Sequence, residues 1–145
     1  MSKLAMTPEE RDRFLTEERV LRLATTDDDG WPAVVPVWFV WHDGAFWVWN
    51  LTRAKRTARL EAGTRAAFVV DGGAEYVELR GVSGRLDYAF VPDEQVPLEV
   101  RRGFSRKYFG SDHPLEPADH HRWLRMEPST VASWDFRKQY GQPEG

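Results

Sequence analysis

Apolar residues in this chain fall into short runs separated by Gly, Pro and Asp, with three stretches of helical texture among them. Thr7-Pro8-Glu9-Glu10 is a capping box, with Thr7 as N-cap, Pro8 at the first helical position and Glu10 three residues on, so a helix starts at Pro8. Val20, Leu21 and Leu23 mark a strand near residues 19–26, which ends at the turn Asp27-Asp28-Asp29-Gly30. Residues 31–42 are apolar at nearly every position, the pattern of a strand buried on both faces. Pro36 removes a ladder donor there and predicts an edge position, a bulge or the approach of a ligand. Asp43-Gly44 is a two-residue hairpin turn into the run 45–51.

The next helix begins near Arg53 and stops near Ala62, with Gly63 as its left-handed terminator. A strand covers Arg65 to Val70, and Asp71-Gly72-Gly73 turns the chain into Glu75-Tyr76-Val77-Glu78-Leu79-Arg80, where charged and apolar residues alternate with a period of two. That spacing puts Tyr76, Glu78 and Arg80 on one strand face, which suits either a ligand contact or a Glu78–Arg80 ion pair between strands. Gly81 and Gly84 interrupt the strand Val82 to Tyr88, as a bulge or a tight barrel corner would. Beyond Pro92 a helical connector with Asp93 as its cap ends at Gly110. Residues 111–122 read as a surface loop with a helical turn, and 123–128 with 130–136 as a closing hairpin or a bent strand. The tail Gln139 to Gly145 is polar and predicted to be loose. Five or six short strands with tight turns make a fold that is mainly β, a small antiparallel barrel with flanking helices.

Length and charge narrow the function. The chain has 145 residues, which predicts one domain over 1–145, and no cysteine, which excludes thiolate metal sites and cysteine nucleophiles. No apolar run approaches the about 20 residues of a membrane helix, and no leader pattern precedes the first helix, so a cytoplasmic location with no membrane contact is expected. A net charge of -3 argues against a dedicated nucleic-acid binder. Seven tryptophans are present, and four of them (Trp38, Trp41, Trp47 and Trp49) lie within twelve residues; core packing is the expectation for most.

Against that acidic balance, residues 53–59 hold four cations and no acid, directly after an apolar strand. A helix start leaves backbone N–H groups without partners and carries partial positive charge, so Thr52, Arg53, Lys55 and Arg56 form a candidate phosphate site. A solvated helix face would read the same way. His113, His120 and His121, with Asp112 and Asp119 nearby, lack metal-ligand spacing and are expected to be solvated, so no metal is expected. There is no Gly-x-Ser-x-Gly, Gly-x-Gly-x-x-Gly or Walker sequence.

The ordered set of a capped N-terminal helix, a strand ending Leu23-Ala24-Thr25-Thr26, an Asp/Gly turn, the strand Pro36-Val37-Trp38-Phe39-Val40, the cationic helix start and the ending Trp134-Asp135-Phe136-Arg137-Lys138 resembles the pyridoxamine 5'-phosphate oxidase-like family. The likeness runs from about Thr7 to Lys138. It implies a split β-barrel of the FMN-binding type, forming a homodimer with a cofactor, FMN or alternatively the deazaflavin F420, in each groove between protomers. It places the cofactor phosphate at Thr52, Arg53, Lys55 and Arg56 and the ring beside Pro36, Val37, Trp38, Trp49 and Asn50. It also sets Tyr76 near the partner's cofactor. Trp134 and Arg137 suit either a cover over the flavin or its phosphate, since indole and guanidinium fit flat anionic ligands, or a hydrophobic staple at the barrel mouth. The ending differs from the Arg-Leu-His-Asp-Arg type of the vitamin-B6 oxidase itself. The resemblance therefore implies an oxidoreductase passing a hydride between cofactor and a small conjugated substrate, with a non-catalytic flavin- or tetrapyrrole-binding barrel as the alternative. No catalytic side chain is singled out; a proton would come from solvent, Tyr76 or His42.

Overall fold

The computed structural model describes residues 3–140. Helix α1 (Pro8–Glu17) opens the chain, with the capping box complete: the Thr7 hydroxyl accepts from the Glu10 N–H, and the Glu10 carboxylate accepts from the Thr7 N–H. Strands β1 (Val20–Thr26), β2 (Pro32–Trp38), β3 (Val40–His42) and β4 (Ala45–Leu51) follow, then helix α2 (Lys55–Glu61) and strands β5 (Ala66–Gly72) and β6 (Arg80–Val91). Helix α3 (Leu98–Phe109) and strands β7 (His121–Pro128) and β8 (Ala132–Asp135) complete the order. Asp43 and Gly44 both have positive φ (50° and 76°), the backbone of a tight hairpin between β3 and β4, and Gly63 (83°) and Gly110 (63°) follow α2 and α3 as the pattern predicts.

The sheet runs β2-β1-β5-β6-β7-β4-β3, antiparallel throughout. Its two edge strands are successive in the chain, joined by the single residue Phe39. One bent segment therefore pairs with β1 before the bend and with β4 after it, and the barrel is closed through the covalent chain. Leu21, Leu23, Phe39, Phe46, Val70, Val82, Leu124 and Met126 fill the interior, and Phe14 and Leu15 of α1 pack onto the same core. A second cluster of Trp47, Val96, Val100, Phe104 and Trp123 lies between α3 and the outer face of β4 and β7.

Several expectations are corrected here. The segment buried on both faces is β4, with Phe46 and Val48 inward and Trp47 beneath α3, whereas β2 lies at an edge and exposes Val34 (63 %), with Trp31 (72 %) exposed just before it. Pro36 accordingly occupies an edge strand. Residues 76–78 form a 3-10 turn, so Tyr76, Glu78 and Arg80 do not share a strand face; β6 begins only at Arg80 and pairs with β5 without a bulge over residues 80–86. Asp93 belongs to a 3-10 turn of its own, and Pro97 precedes α3. Strands β7 and β8 form no hairpin. They lie end to end along one edge of β6, with Pro128 opposite Leu86 and Ala132 opposite Ser83, so three residues (129–131) face two. That bulge brings the Thr130 carbonyl onto Gly84, and the Trp134 ring lies on Gly81; a Cβ at either glycine would collide. Gln139 and Tyr140 continue the last turn, with the Tyr140 N–H donating to the Phe136 carbonyl, while the rest of the expected loose tail lies outside the described residues.

Candidate functional site

At Phe39 the bent segment leaves β1 for β4, and the backbone of Phe39 has no ladder partner on either side. Helix α3 supplies the missing partners. The Tyr108 hydroxyl accepts from the Phe39 N–H at 2.9 Å and lies 2.6 Å from the Arg19 carbonyl and 2.8 Å from that of Phe39, its one proton serving one of them. The Lys107 ammonium donates to the Phe39 carbonyl at 3.1 Å and sits 4.1 Å from the Phe39 ring centroid. Burial lowers the Lys107 pKa to about 8, with Arg19 adding to the shift and Glu18 opposing it. Burial likewise raises the Tyr108 phenol to about 12.

Beyond this pivot β2 and β4 diverge, and the space between them is a groove of about 410 Å³, in the range of small-molecule sites. Pro36, Val37 and Trp38 of β2 line one side and Val48, Trp49 and Leu51 of β4 the other, with Phe104 and Phe109 of α3 between. Each wall carries a stacked pair. Trp38 stacks on Tyr108 at 4.4 Å and 13°, and Trp49 stacks on His121 at 3.8 Å and 20°. Such faces suit a flat conjugated ligand.

Arg56 is the cation that lines this groove. It is half-buried, its Nε donates to Asn50 Oδ1 at 2.9 Å, and it forms no ion pair with any described residue. Burial works against its charge and lowers its pKa, yet a guanidinium keeps its proton in any protein setting. Asn50, a candidate ring contact, is completely buried, does not line the groove and hydrogen-bonds Arg56, which does. Thr52, Arg53 and Lys55 are exposed and do not line the groove, and the Thr52 N–H is taken by the His120 carbonyl at 2.8 Å. The N-cap of α2 is Ala54, which offers no side-chain cap.

Tyr76, Trp134 and Arg137 line no part of this groove. Tyr76 is exposed and packs on Phe136 at 5.2 Å. Arg137 grips the buried Asp135 through Nε (2.9 Å) and Nη2 (2.8 Å), and that fork holds the Asp135 carboxyl below the usual range. His42 ends β3, outside the groove lining. His121, expected from the sequence in a solvated loop, is the first residue of β7, paired with Leu51, half-buried and part of the groove wall. The polar run before it hid the strand start, and the only signal was its place two residues before the buried Trp123. Of the four clustered tryptophans only Trp47 is wholly core, while Trp38 and Trp49 face the groove. Among the described residues no cluster of three or more His, Asp or Glu side chains suits a metal ion, and no helix is long and apolar enough to cross a membrane.

An antiparallel barrel split along one seam, with an aromatic cleft in the split, defines a split β-barrel. The chain belongs to the pyridoxamine 5'-phosphate oxidase family, whose sequence model matches residues 7–135. Among solved structures it is similar to a conserved hypothetical protein of Mycobacterium tuberculosis (TM-score 0.84, 24 % identity, covering 100 % of this chain and 94 % of that one). It is also similar to an F420 reductase (0.63, 23 %, 87 % and 98 %) and to HutZ, the heme storage protein of Vibrio cholerae (0.73, 17 %, 88 % and 94 %). At these identities the likeness concerns the fold. Among curated proteins none matches this chain.

Proposed function

We propose that the groove binds a flavin-type cofactor, FMN or alternatively F420, and that the protein is an oxidoreductase acting on a small conjugated substrate. One observation carries this reading: two stacked aromatic walls meet a half-buried guanidinium that has no carboxylate partner among the described residues. A planar ring fits between such walls, and a phosphate satisfies the cation. The donor set therefore fits the group. The name of the F420 reductase among the similar structures supports the same class. When bound, such a cofactor supplies the hydride itself, and the protein's task is to bind, orient and exclude water. Trp38, Trp49 and His121 orient the ring system, Arg56 fixes the phosphate end, and Phe104 and Phe109 keep the floor apolar.

A second copy of the chain completes the site in this proposal. Val34, Pro36 and Trp38 share an exposed apolar face of β2 beside the groove, with the exposed Trp31 just before the strand, and a homodimer would cover that face. Tyr76, Trp134 and Arg137 would then serve the partner's groove. Light scattering should give twice the 16.8 kDa chain mass, and a monomer at micromolar concentration would remove this part.

A non-catalytic tetrapyrrole module is the second reading, favoured by His121, an imidazole in an aromatic wall that suits an axial ligand, and by the heme storage protein among the similar structures. Parallel titrations with FMN, F420 and haemin, followed by absorbance, separate the two. The flavin reading expects saturable shifts of the flavin or deazaflavin bands. A Soret shift with haemin and none with either flavin overturns it.

A further inference from the structure

We propose that Asn50 is a positioning residue: a buried neutral amide that holds Arg56 as a preoriented, fully charged fork at the groove. The inference rests on the reading of Arg56 as the anion ligand and adds what makes that ligand rigid. Asn50 has no exposed surface, so it cannot touch a ligand. Its Oδ1 accepts from Arg56 Nε at 2.9 Å, and its Nδ2 donates to Thr57 Oγ1 at 2.8 Å and to the Leu51 carbonyl at 3.3 Å. A guanidinium can only donate, so the oxygen of the amide must face Arg56 and its NH2 must face Thr57. Thr57 Oγ1 in turn donates to the Leu51 carbonyl at 2.7 Å, which leaves that hydroxyl no freedom to turn. Every polar atom beneath the groove is thus committed, and the network ends at one place, the Nε–H of Arg56.

The choice of a neutral anchor has a chemical reason. A carboxylate at this position would hold the same guanidinium at least as firmly, but it would cancel the charge that the groove presents. An amide fixes direction and leaves the positive charge, with both Nη groups making no hydrogen bond to any described residue. Such a fork loses little freedom when a phosphate arrives, and prepaid order of this kind converts directly into affinity.

Two measurements test the proposal. First, the arginine Nε–H region of a 15N-resolved NMR spectrum should show a slowly exchanging Arg56 resonance in the wild type, assigned by its loss in Arg56→Lys. It should collapse into the solvent-exchanged set in Asn50→Ser, persist in Asn50→Asp, and shift on titration with inorganic phosphate in the wild type only. Second, the ratio of FMN to riboflavin affinity should fall about tenfold in Asn50→Asp, with riboflavin binding retained, and Asn50→Ser should change that ratio no further once Arg56 is Ala. A merely structural Asn50 would move both ligands together. An Arg56 resonance indifferent to Asn50→Ser, or an unchanged ratio in Asn50→Asp, overturns the proposal. Should Asn50→Asp not fold, Thr57→Val removes one anchor of the amide and should lower the same ratio in the same sense. A wild type that binds no flavin overturns the reading of function above, while the resonance with inorganic phosphate as probe still decides the role of Asn50.

Discussion

Replacing Tyr108 by Phe tests whether the seam of the barrel is held where the structure places its pivot. The substitution removes one oxygen and leaves the ring, so the stack on Trp38 (4.4 Å) and the packing on Phe104 (4.8 Å) survive. What disappears is the acceptor of the Phe39 N–H, at a residue with no exposed surface, together with a donor to the Arg19 carbonyl. The Phe39 carbonyl keeps Lys107. A single buried N–H left without a partner costs about 1–3 kcal/mol, and the lost donor adds less because the Arg19 carbonyl can find water. About 2 kcal/mol in a domain of this size corresponds to a fall in melting temperature of roughly 4–8 °C. Thermal melts by circular dichroism give the shift, and urea titration should show a lower midpoint with an unchanged slope. A variant melting within about 1 °C of the wild type would refute the assignment of Tyr108 as the partner of Phe39.

Other expectations follow from the same geometry. Arg56→Ala should weaken FMN or F420 by about 10- to 100-fold in a fluorescence titration, Lys55→Ala by less than about threefold, and riboflavin should be indifferent to both; equal losses for the two cations would disprove the selective placement of Arg56. His121→Ala should weaken FMN and riboflavin alike, by about two- to tenfold, because it removes a stacked face and not a phosphate contact; a loss confined to FMN would reassign it. Lys107 has a folded pKa of about 8 against an ordinary 10.5, so between those values the unfolded chain binds more protons and stability rises with pH. Denaturation at a series of pH values should show that rise from about pH 8 to 10 in the wild type and not in Lys107→Met, with the Tyr108 phenol reversing the trend above pH 10.

Features written in neighbouring residues were legible. The Thr7/Glu10 box, the Asp43-Gly44 hairpin and the glycines after α2 and α3 each depend on chemistry within four positions, and all appear where the sequence places them. The bend at Phe39 is different, since nothing in the run 31–42 shows that its two halves pair with strands from opposite ends of the sheet. Period-two alternation at 75–80 misled because a tight turn in a long β5–β6 connection satisfied the same residues. Gly81 and Gly84 suggest a bulge or a barrel corner in their own strand, but the strand that bulges is the one lying against them, and the glycines are needed for its close approach. At the candidate site, the resemblance pointed to Pro36, Val37, Trp38 and Trp49, which line the groove, and to a cationic segment of which Arg56 alone does. It could not separate Arg56 from Lys55, because the selection is made by an amide six residues earlier whose burial is a tertiary fact. His121 was missed because its composition spoke for a loop while its register belonged to a strand.

The unequal standing of β2 and β6 has a consequence for motion. Over residues 80–86 strand β6 has β5 along one edge and β7 with β8 along the other, so the amides of that half are held from both sides and exchange only on a large opening of the barrel. Strand β2 has β1 alone, ending at the pivot that Tyr108 and Lys107 hold. It can lift away as a unit at smaller cost, and amide exchange should report it as less protected than the first half of β6. Since β2 is also a wall of the groove, closing on a ligand and retarding exchange across residues 32–38 become the same event, recorded in a part of the chain distant in sequence from Arg56.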